Sequence, residues 1–176
     1  MKLKAEIMDN AAVKRALKRI SHEILERNGG CKDLCFVGIK NGGVPLARIL
    51  ADNIYEIEGA LIPVGVVDIS AYRDDRDLSE PVRVAGGLPF DVNGKRIIMV
   101  DDVLCTGRTA RAAMESIISC GRPSAIQLAI LIDRGHRELP LRGDYVGKNI
   151  PTSKNERINV KIPPIDDVIA VELIQS

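Results

Sequence analysis

The spacing of apolar residues along the chain predicts helices and strands in alternation. A first helix begins at Asp9 or Asn10, either of which can cap it, and ends at the stop Asn28-Gly29-Gly30. The further elements are predicted as strands at 34–39, 61–69, 97–100 and 125–132 and helices at 44–53 and 109–120. Strands that alternate with helices indicate an α/β fold with a mostly parallel central sheet flanked by helices.

Two segments interrupt this alternation. Segment 70–95 opens with the charged run Tyr72-Arg73-Asp74-Asp75 and later contains the breakers Gly86-Gly87 and Pro89. A connection of this length is typical of a lid or a disordered segment, and a solvated charged hairpin is the alternative. Segment 134–176 is rich in Gly, Pro and basic residues around two short predicted strands, at 158–162 and 168–173, and is predicted to form a small cap.

The composition fits one globular domain over residues 1–176. The chain has 176 residues and is 45% hydrophobic, enough to bury a single core. Lys and Arg number 25 against 24 Asp and Glu, so any nucleic-acid surface must be a local patch. Aromatic residues make up 3% of the chain, which argues against a protein that stacks single-stranded bases on aromatic platforms.

The cysteines and the first residues bear on the compartment. Cys31, Cys35, Cys105 and Cys120 form neither a Cys-x-x-Cys pair nor a metal spacing with the two histidines, so reduced thiols are expected. The first residues lack an apolar signal core, and no apolar run approaches the ~18 residues of a membrane helix. We therefore expect a soluble, cytoplasmic protein.

The stretch from Ile97 to Thr109 has the most specific chemistry. Its four apolar residues are typical of a strand buried on both faces, and Asp101 and Asp102 follow at the carboxyl end, where open α/β sheets bind ligands. The turn Thr106-Gly107-Arg108-Thr109 offers hydroxyls, backbone N–H groups, a positive charge and a helix N-terminus, which suit a phosphate. The ligand is predicted to have a phosphate at one end and hydroxyls at the other.

A ribose 5-phosphate fits this description, because the carboxylates can accept from its 2- and 3-hydroxyls while the turn surrounds the 5-phosphate. The chain has no Gly-x-x-x-x-Gly-Lys-Ser/Thr string for a Walker loop, and its first strand-to-helix turn has no Gly-x-Gly-x-x-Gly fingerprint for a dinucleotide. An ordinary strand-to-helix loop with a solvated Asp102 is the alternative.

The stretch resembles the phosphoribosyl diphosphate (PRPP) motif of type I phosphoribosyltransferases, and nearly the whole chain resembles the PyrR family of pyrimidine operon attenuation regulators. The two most specific strings are Asp133 to Pro140 and Gly147 to Lys154. The resemblance extends over Ala16-Leu17, His22-Glu23, Glu26 to Asn28, Val37 to Lys40, Tyr72 to Asp75 and Gly121 to Ala129. It implies the type I phosphoribosyltransferase fold, with a flexible lid loop at 70–95 and the small cap.

The resemblance implies an enzyme that converts uracil and PRPP to UMP and diphosphate, with Mg²⁺ carried by PRPP and no fixed metal ligands. It also implies a homo-oligomer, dimer or tetramer, that binds a leader hairpin of pyrimidine mRNA in response to UMP and regulates transcription by attenuation. Asp101 and Asp102 are the candidate catalytic residues, and Tyr72, Arg73, Asp74 and Asp75 belong to the lid. The candidate PRPP or UMP contacts are Lys40, Asn41, Gly42, Asp101, Asp102, Val103, Leu104, Cys105, Thr106, Gly107, Arg108, Thr109, Arg134 and Ile158.

For the base, the resemblance suggests Arg134 and the strand around Ile158, whose backbone groups could match a uracil edge. An ion pair of Arg134 with Asp133 or Glu138 is the alternative. His136 is interpreted as a hydrogen-bonding surface residue rather than a general base.

Three positions depart from the family pattern. The diphosphate turn is Lys40-Asn41-Gly42-Gly43, where the family usually has Lys-Thr-Arg-Gly, so an arginine expected to contact diphosphate is absent. This turn is also similar to the Gly-Gly turn of purine phosphoribosyltransferases. Cys105 stands where the family often has Tyr, and Lys18 where it often has Thr.

The first helix has a basic face opposite an apolar stripe of Val13, Leu17, Ile20 and Ile24. Such a face is commonly only solvated. The resemblance makes it a candidate RNA-binding surface, together with later cations. The set is Lys14, Arg15, Lys18, Arg19, His22, Arg137, Arg142, Lys148 and Lys154.

Two other functions stay open at the level of sequence. The first is a non-catalytic regulator that keeps the nucleotide site as a UMP sensor, which the altered diphosphate turn favours. The second is a salvage phosphoribosyltransferase, for a pyrimidine or a purine, without an RNA role.

Overall fold

A computed structural model describes residues 2–69 and 87–175. The predicted lid residues Tyr72, Arg73, Asp74 and Asp75 therefore lie outside the described residues. The elements in chain order are β1 (Lys2–Met8), α1 (Asn10–Asn28), β2 (Leu34–Ile39), α2 (Gly43–Glu58), β3 (Val64–Val67), β4 (Arg96–Leu104), α3 (Arg108–Ser119), β5 (Ala125–Asp133), β6 (Tyr145–Asn149), β7 (Glu156–Lys161) and β8 (Ala170–Gln175).

Five parallel strands form the main sheet in the order β3-β2-β4-β5-β6. From β2 the chain moves outward to β3 on one side, and from β4 it moves outward to β5 and β6 on the other. The loops that follow β2 and β4 therefore part from each other although the two strands are neighbours. This divergence leaves a crevice at the carboxyl ends of β2 and β4, the switch point at which open α/β sheets bind ligands.

The two faces of the sheet support two hydrophobic cores. Consecutive residues of a strand point to opposite faces, so Phe36 packs into the core that includes α1 and α2, whereas Val37 packs into the core that includes α3. All residues of β2 are buried, as expected for a strand covered on both sides. None of the helices in the described part of the chain combines the length and apolarity needed to cross a membrane.

The first helix begins and ends as its sequence predicts. Asp9 caps α1 by accepting a hydrogen bond from the Ala12 N–H at 2.7 Å. Gly29 ends it in the left-handed conformation, with φ of 63°. The buried face of α1 contains the predicted apolar stripe, so its basic residues lie on the remaining surface.

A second sheet of three antiparallel strands, β1-β8-β7, forms the cap. The predicted cap at 134–176 is wrong in two respects. Strand β1 joins the cap from the other end of the chain, and β6, which falls within 134–176, completes the main sheet by pairing with β5. Neither strand has a strong apolar pattern in the sequence. Most residues of β1 are exposed, and β6 has the sequence Tyr-Val-Gly-Lys-Asn.

Other boundaries differ less from the predictions. The prediction for β2 is confirmed, whereas α2 continues past Asn53 to Glu58 because Ile54 and Ile57 extend its apolar side. Gly59 then ends this helix with φ of 67°. Strand β3 is shorter than the predicted 61–69, and β4 continues through both acidic residues to Leu104.

Candidate functional site

Two loops line the crevice between the ends of β2 and β4. The turn of Lys40, Asn41 and Gly42 leads from β2 into α2, and residues 105–107 lead from β4 into α3. The Lys40–Asn41 peptide bond is cis, and Lys40 Nζ lies 3.1 Å from Asp68 Oδ2. The diphosphate turn and the PRPP motif, far apart in the sequence, therefore meet at one edge of the sheet.

The two carboxylates at the end of β4 are oriented by backbone donors. The Asp102 N–H donates to Asp101 Oδ1 at 3.0 Å, and the Val103 N–H donates to Asp102 Oδ1 at 2.7 Å. Asp101 is only 8% exposed, whereas Asp102 is half-buried. Because one oxygen of each carboxylate is already held, the pair does not need to be ordered by its ligand.

Burial makes both carboxylates costly to ionise. Burial raises the pKa of Asp101 well above its ordinary value, and the neighbouring Asp102 carboxylate raises it further. Burial also raises the pKa of Asp102, although the Val103 N–H favours its charged form. Hydroxyl donors from a ribose would favour the charged forms, so this pair is suited to a polyhydroxyl ligand.

Two glycines bring the diphosphate turn into contact with β4. A Cβ on Gly42 would lie 2.3 Å from Asp102 Oδ2, and a Cβ on Gly43 would lie 2.0 Å from the Val100 carbonyl oxygen. The backbone of Gly42, with φ of −66° and ψ of −31°, is one that any residue can adopt. A side chain at position 42 would therefore require the Asp102 carboxylate to move, because it occupies the place that a Cβ would take.

The phosphate loop has an open helix N-terminus. Gly107, with φ of 91°, precedes α3, and the first turn of this helix contains no acidic residue. Thr106 Oγ1 accepts from the Arg108 N–H at 3.2 Å, while the Thr106 carbonyl accepts from the N–H groups of Glu138 and Leu139. Hydrogen bonds from Glu138 and Leu139 thus hold the loop in place. The N-terminus of α3, which is the positive end of the helix dipole, is suited to a phosphate.

An open cavity of about 480 Å³ lies beside the phosphate loop. Basic side chains predominate in its wall, which suits an anionic ligand. The cavity is lined by Cys105, Thr106, Arg134, His136, Arg137, Glu138 and Lys154.

Arg134 forms neither of the ion pairs considered from the sequence. Its Nε donates to Thr152 Oγ1 at 3.0 Å, and its Nη2 donates to the Glu156 carbonyl at 2.8 Å. Its backbone N–H donates to the carbonyl of Leu104, whose side chain is buried. Arg134 therefore links the end of β5 to the turn that precedes β7.

The ion pairs considered for Arg134 are made by two other arginines. Arg137 pairs with Asp133 and also donates to the Cys105 carbonyl at 2.8 Å and to the Leu141 carbonyl at 2.7 Å. Arg108 Nε lies 2.6 Å from Glu138 Oε2. These arginines hold the loops around the phosphate-binding turn in place.

Strand β7 places one edge of the cap against the main sheet. It is an edge strand of the cap, pairs only with β8 among the described strands, and contacts β4. Ile158 is half-buried, and both Ile158 and Val103 pack against the core that includes α1. The backbone of β7 therefore lies close to the strand that ends in the two carboxylates.

The basic residues of α1 differ in what they contact. Lys18 Nζ lies 2.8 Å from Glu56 Oε2, and Arg19 donates to the carbonyls of Val146 and Gly147 at 3.0 and 2.7 Å. The other three have exposed side chains without a polar partner among the described residues: Lys14, Arg15 and His22.

The remaining cations assigned to RNA from the sequence lie in three places. Arg142 is exposed in the loop before β6. Lys148 is exposed near the end of β6, and its Nζ lies 3.4 Å from the Ile7 carbonyl, near the start of α1. Arg137 and Lys154 instead line the cavity beside the phosphate loop. The structure thus groups Lys148 with α1, and Arg137 and Lys154 with the cavity beside the predicted phosphate loop.

Sequence reasoning missed the residues that fix the turn before β7. Glu156 accepts from the Ser153 N–H at 2.7 Å and pairs with Lys4 of β1. The Lys4 ammonium and the Ser153 N–H lower the pKa of Glu156 to about 2. The Ser153-x-x-Glu156 spacing is a local signal for such a turn, but the pairing with Lys4 depends on the fold.

The chain and its fold are matched in known proteins. Residues 4–164 match the family model described as phosphoribosyl transferase domain. Solved structures share the fold: a hypoxanthine phosphoribosyltransferase from Trypanosoma cruzi has a TM-score of 0.80 at 16% identity, covering 98% of this chain and 96% of that one. A hypoxanthine-guanine phosphoribosyltransferase from Bacillus anthracis has a TM-score of 0.75 at 18% identity, covering 99% of both chains.

The fold is thus that of the phosphoribosyltransferase class. Curated relatives are much closer in sequence. A "Bifunctional protein PyrR" from Thermoanaerobacter is 57% identical over the full length of both chains, and one from Listeria welshimeri is 56% identical over 94% of this chain and 93% of its own. One from Clostridium kluyveri is 56% identical over 99% of both. Within the class, the chain belongs to the PyrR family.

Proposed function

We propose that the protein transfers the phosphoribosyl group of PRPP to uracil, giving UMP and diphosphate, and that it binds a leader hairpin of pyrimidine mRNA in response to UMP. The observation that carries the enzymatic part is the carboxylate pair at the switch point, flanked by the diphosphate turn on one side and the open N-terminus of α3 on the other. Membership of a family whose curated relatives are named bifunctional supports the second activity.

The carboxylates act on the ribose. In the reaction the C1–oxygen bond breaks with its electron pair leaving on diphosphate, N1 of uracil bonds to C1, and the N1 proton goes to solvent. Positive charge develops on the sugar ring before the new bond is complete. Asp101 and Asp102 accept from the ribose hydroxyls and stabilise this charge, and their fixed orientation avoids reorganisation during the step.

The two loops hold the ends of PRPP. The 5-phosphate lies at the N-terminus of α3, with Thr106, Gly107 and Thr109 around it. The diphosphate meets backbone N–H groups of residues 41–43, since the Lys40 N–H already donates to the Val67 carbonyl at 3.0 Å. The oxygen-rich end of β4 suits Mg²⁺, which Asp101 or Asp102 would contact through water while it neutralises the diphosphate.

The base binds at the outer edge of β7. Residues two apart in a strand direct their backbone groups to the same side. The Glu156 carbonyl points away from β8 because it accepts from Arg134, so the N–H and C=O of Ile158 also point outward. One donor and one acceptor side by side match a uracil edge, in which N3–H lies beside a carbonyl.

The RNA surface consists of the exposed basic face of α1, extended by Lys148. Lys14, Arg15 and His22 have side chains without a polar partner in the described part of the chain, so they can meet phosphates without breaking protein contacts. Specificity for a hairpin loop comes from unstacked bases rather than from these phosphate contacts.

Two assays test the proposal. The first measures formation of radioactive UMP from uracil, PRPP and Mg²⁺, with hypoxanthine as a competing base. The second measures retention of a labelled pyrimidine leader RNA on filters, with and without UMP. UMP formation together with UMP-dependent retention is the expected result. RNA retention without transfer would leave a UMP-sensing regulator, and transfer without RNA retention would leave a salvage enzyme.

A further inference from the structure

The turn at residues 152–156, here called the cap turn, connects the main sheet to the strand proposed to bind the base. Arg134 reaches it from the end of β5 and holds both of its ends. Nε donates to Thr152 Oγ1 at 3.0 Å, and Nη2 donates to the Glu156 carbonyl at 2.8 Å and to the Ser153 carbonyl at 3.4 Å. One guanidinium therefore contacts the first and last residues of the cap turn.

Other contacts brace the same turn from different directions. His136 Nε2 donates to the Thr152 carbonyl at 2.7 Å. The Glu156 carboxylate accepts from the Ser153 N–H at 2.7 Å and pairs with Lys4 of β1. Among the described residues, the side-chain hydrogen bonds from the end of β5 and the loop after it to the cap turn come from Arg134 and His136, whereas the Glu156 side chain connects the turn to the cap.

We propose that Arg134 is a positioning residue, which sets the distance and angle of the outer edge of β7 to the sugar site, rather than a residue that contacts uracil. This inference rests on the proposed function. Its basis is that the two donors of Arg134 are directed at the cap turn, and that Glu156, whose carbonyl one of them holds, is the first residue of β7. Ile158 follows two positions later in the same strand, so a displacement of the turn would also displace the backbone groups of Ile158.

The proposal predicts a selective kinetic effect. The variant R134A should raise the KM for uracil by about tenfold to a hundredfold, the usual effect of losing hydrogen bonds from a charged group. The KM for PRPP should change by less than about threefold, because the carboxylates and the phosphate loop keep their own supports. Arg134→Lys, which can reach one acceptor, should recover part of the affinity for uracil.

Two further variants separate positioning from direct contact with the base. Thr152→Val removes one acceptor of Arg134, and Glu156→Ala loosens the cap turn without altering the carbonyl that Arg134 holds. If Arg134 acts through the turn, both variants should raise the KM for uracil by about threefold to tenfold. If R134A raises the uracil KM but Thr152→Val and Glu156→Ala leave it unchanged, Arg134 contacts uracil directly and the proposal fails.

The matched control is Arg157→Ala. Arg157 is an exposed cation of β7, adjacent to the turn, without a polar partner among the described residues. Its loss removes the same charge as R134A, close to the cap turn, but no contact to the turn, so both KM values should stay at their wild-type level. An equal rise of the uracil KM in Arg157→Ala would show a general charge effect and overturn the proposal.

Binding and folding measurements complete the test. UMP affinity should fall in R134A, Thr152→Val and Glu156→Ala in the same order as uracil affinity, while circular dichroism shows folded proteins. Should R134A not fold, the two milder variants decide the question. A wild-type protein without uracil transfer would refute the proposed function itself, whereas an active wild type with unchanged KM in Thr152→Val and Glu156→Ala would refute only the role of Arg134.

Discussion

The crevice between β2 and β4 and the basic face of α1 contrast in how their side chains are held. In the crevice, Asp101 is buried, each carboxylate accepts from a backbone N–H, and Gly42 lies against Asp102. On α1, Lys14 and Arg15 extend into solvent. A substitution in the crevice should therefore change catalysis and stability together, whereas one on the helix face should change only what binds there.

The largest effect is expected at the carboxylate pair. Changing both Asp101 and Asp102 to Asn should lower uracil transfer by about a thousandfold or more, since removal of one group that stabilises developing charge already costs about a hundredfold to a thousandfold. The rate of UMP formation measures this loss. Near-normal turnover in the double variant would remove the pair from the catalytic site.

The same double variant should be more stable than the wild type at neutral pH. Burial raises the pKa of both carboxyls, so their contribution to stability is complete below the unfolded value near 3.8 and is lost as pH rises through the folded value. Asn resembles the protonated form at every pH. The Tm of the variant should exceed that of the wild type increasingly above pH 3.8, by about 2–4 °C for each kcal/mol relieved.

The second effect concerns the glycine at the diphosphate turn. The family resemblance suggests that Gly42→Arg restores a diphosphate contact and lowers the KM for PRPP or raises turnover. The structure leads to the opposite expectation, because a Cβ at this position would lie 2.3 Å from Asp102 Oδ2 and must displace the carboxylate. We expect kcat/KM for PRPP to fall by about tenfold to a hundredfold.

A thermodynamic cycle isolates this contact. Gly42→Ala should lower the Tm of the wild type but have little effect when Asp102 is already Ala, because the carboxylate that it would displace is then absent. Equal losses of Tm in both backgrounds would show that the alanine strains something other than Asp102. Improved PRPP binding by Gly42→Arg would mean that the turn rearranges.

The third effect tests the helix face. Replacing both Lys14 and Arg15 by Ala should weaken RNA binding by about tenfold and reduce the slope of log affinity against log salt by about 1.5, since each lost phosphate contact contributes about 0.7–0.9. Uracil transfer and Tm should stay unchanged. Filter retention across a series of salt concentrations, with UMP present, gives both quantities.

A paired variant shows why the choice of residues matters. Replacing Lys18 and Arg19 by Ala removes as much charge but also breaks the contacts to Glu56 and to the carbonyls of Val146 and Gly147. We expect it to lower Tm as well as RNA affinity. If neither pair alters the salt slope, the face of α1 is only solvated, as basic helix faces commonly are.

The smallest effect on stability is expected at the cap turn. Glu156, with its pKa lowered to about 2, stabilises the fold fully above pH 4.5 and loses this contribution as pH falls through about 2. Glu156→Gln should therefore lower Tm by a few degrees at neutral pH. The difference from the wild type should shrink between pH 4.5 and 2, and a difference that is independent of pH would contradict the ionic contribution.

The spacing of apolar residues in the sequence predicted those elements whose apolar residues are contiguous or recur at regular intervals. Strand β2 and helix α1 fall where the sequence indicates, because their buried residues and caps are local features. Strands β1 and β6 were missed since one is an exposed edge of the cap and the other has few apolar residues. Pairing with β8 and β5, which only the folded chain provides, makes them strands.

The candidate site likewise has parts that the sequence predicted and parts that it did not. The acidic strand end and the phosphate loop could be predicted because both lie within one continuous stretch. The contact of Gly42 with Asp102 and the bonds from Arg134 to the cap turn join residues distant in sequence. Single-sequence spacing contains no information on such distances, so the role of Arg134 and the cost of a side chain at position 42 required the structure.

The pairing of β1 with β8 has a consequence for synthesis on the ribosome. Lys2 lies opposite Gln175, so β1 cannot complete its pairing with β8 until residue 175 has been synthesised. All five strands of the main sheet, by contrast, are present once residue 149 has emerged. Contacts so distant along the chain form late, because their loop-closure entropy must be overcome first. The nascent protein therefore completes the proposed sugar- and phosphate-binding edge before the proposed base-binding edge, and we expect nucleotide to stabilise the fold fully only after β8 has paired with β7 and β1.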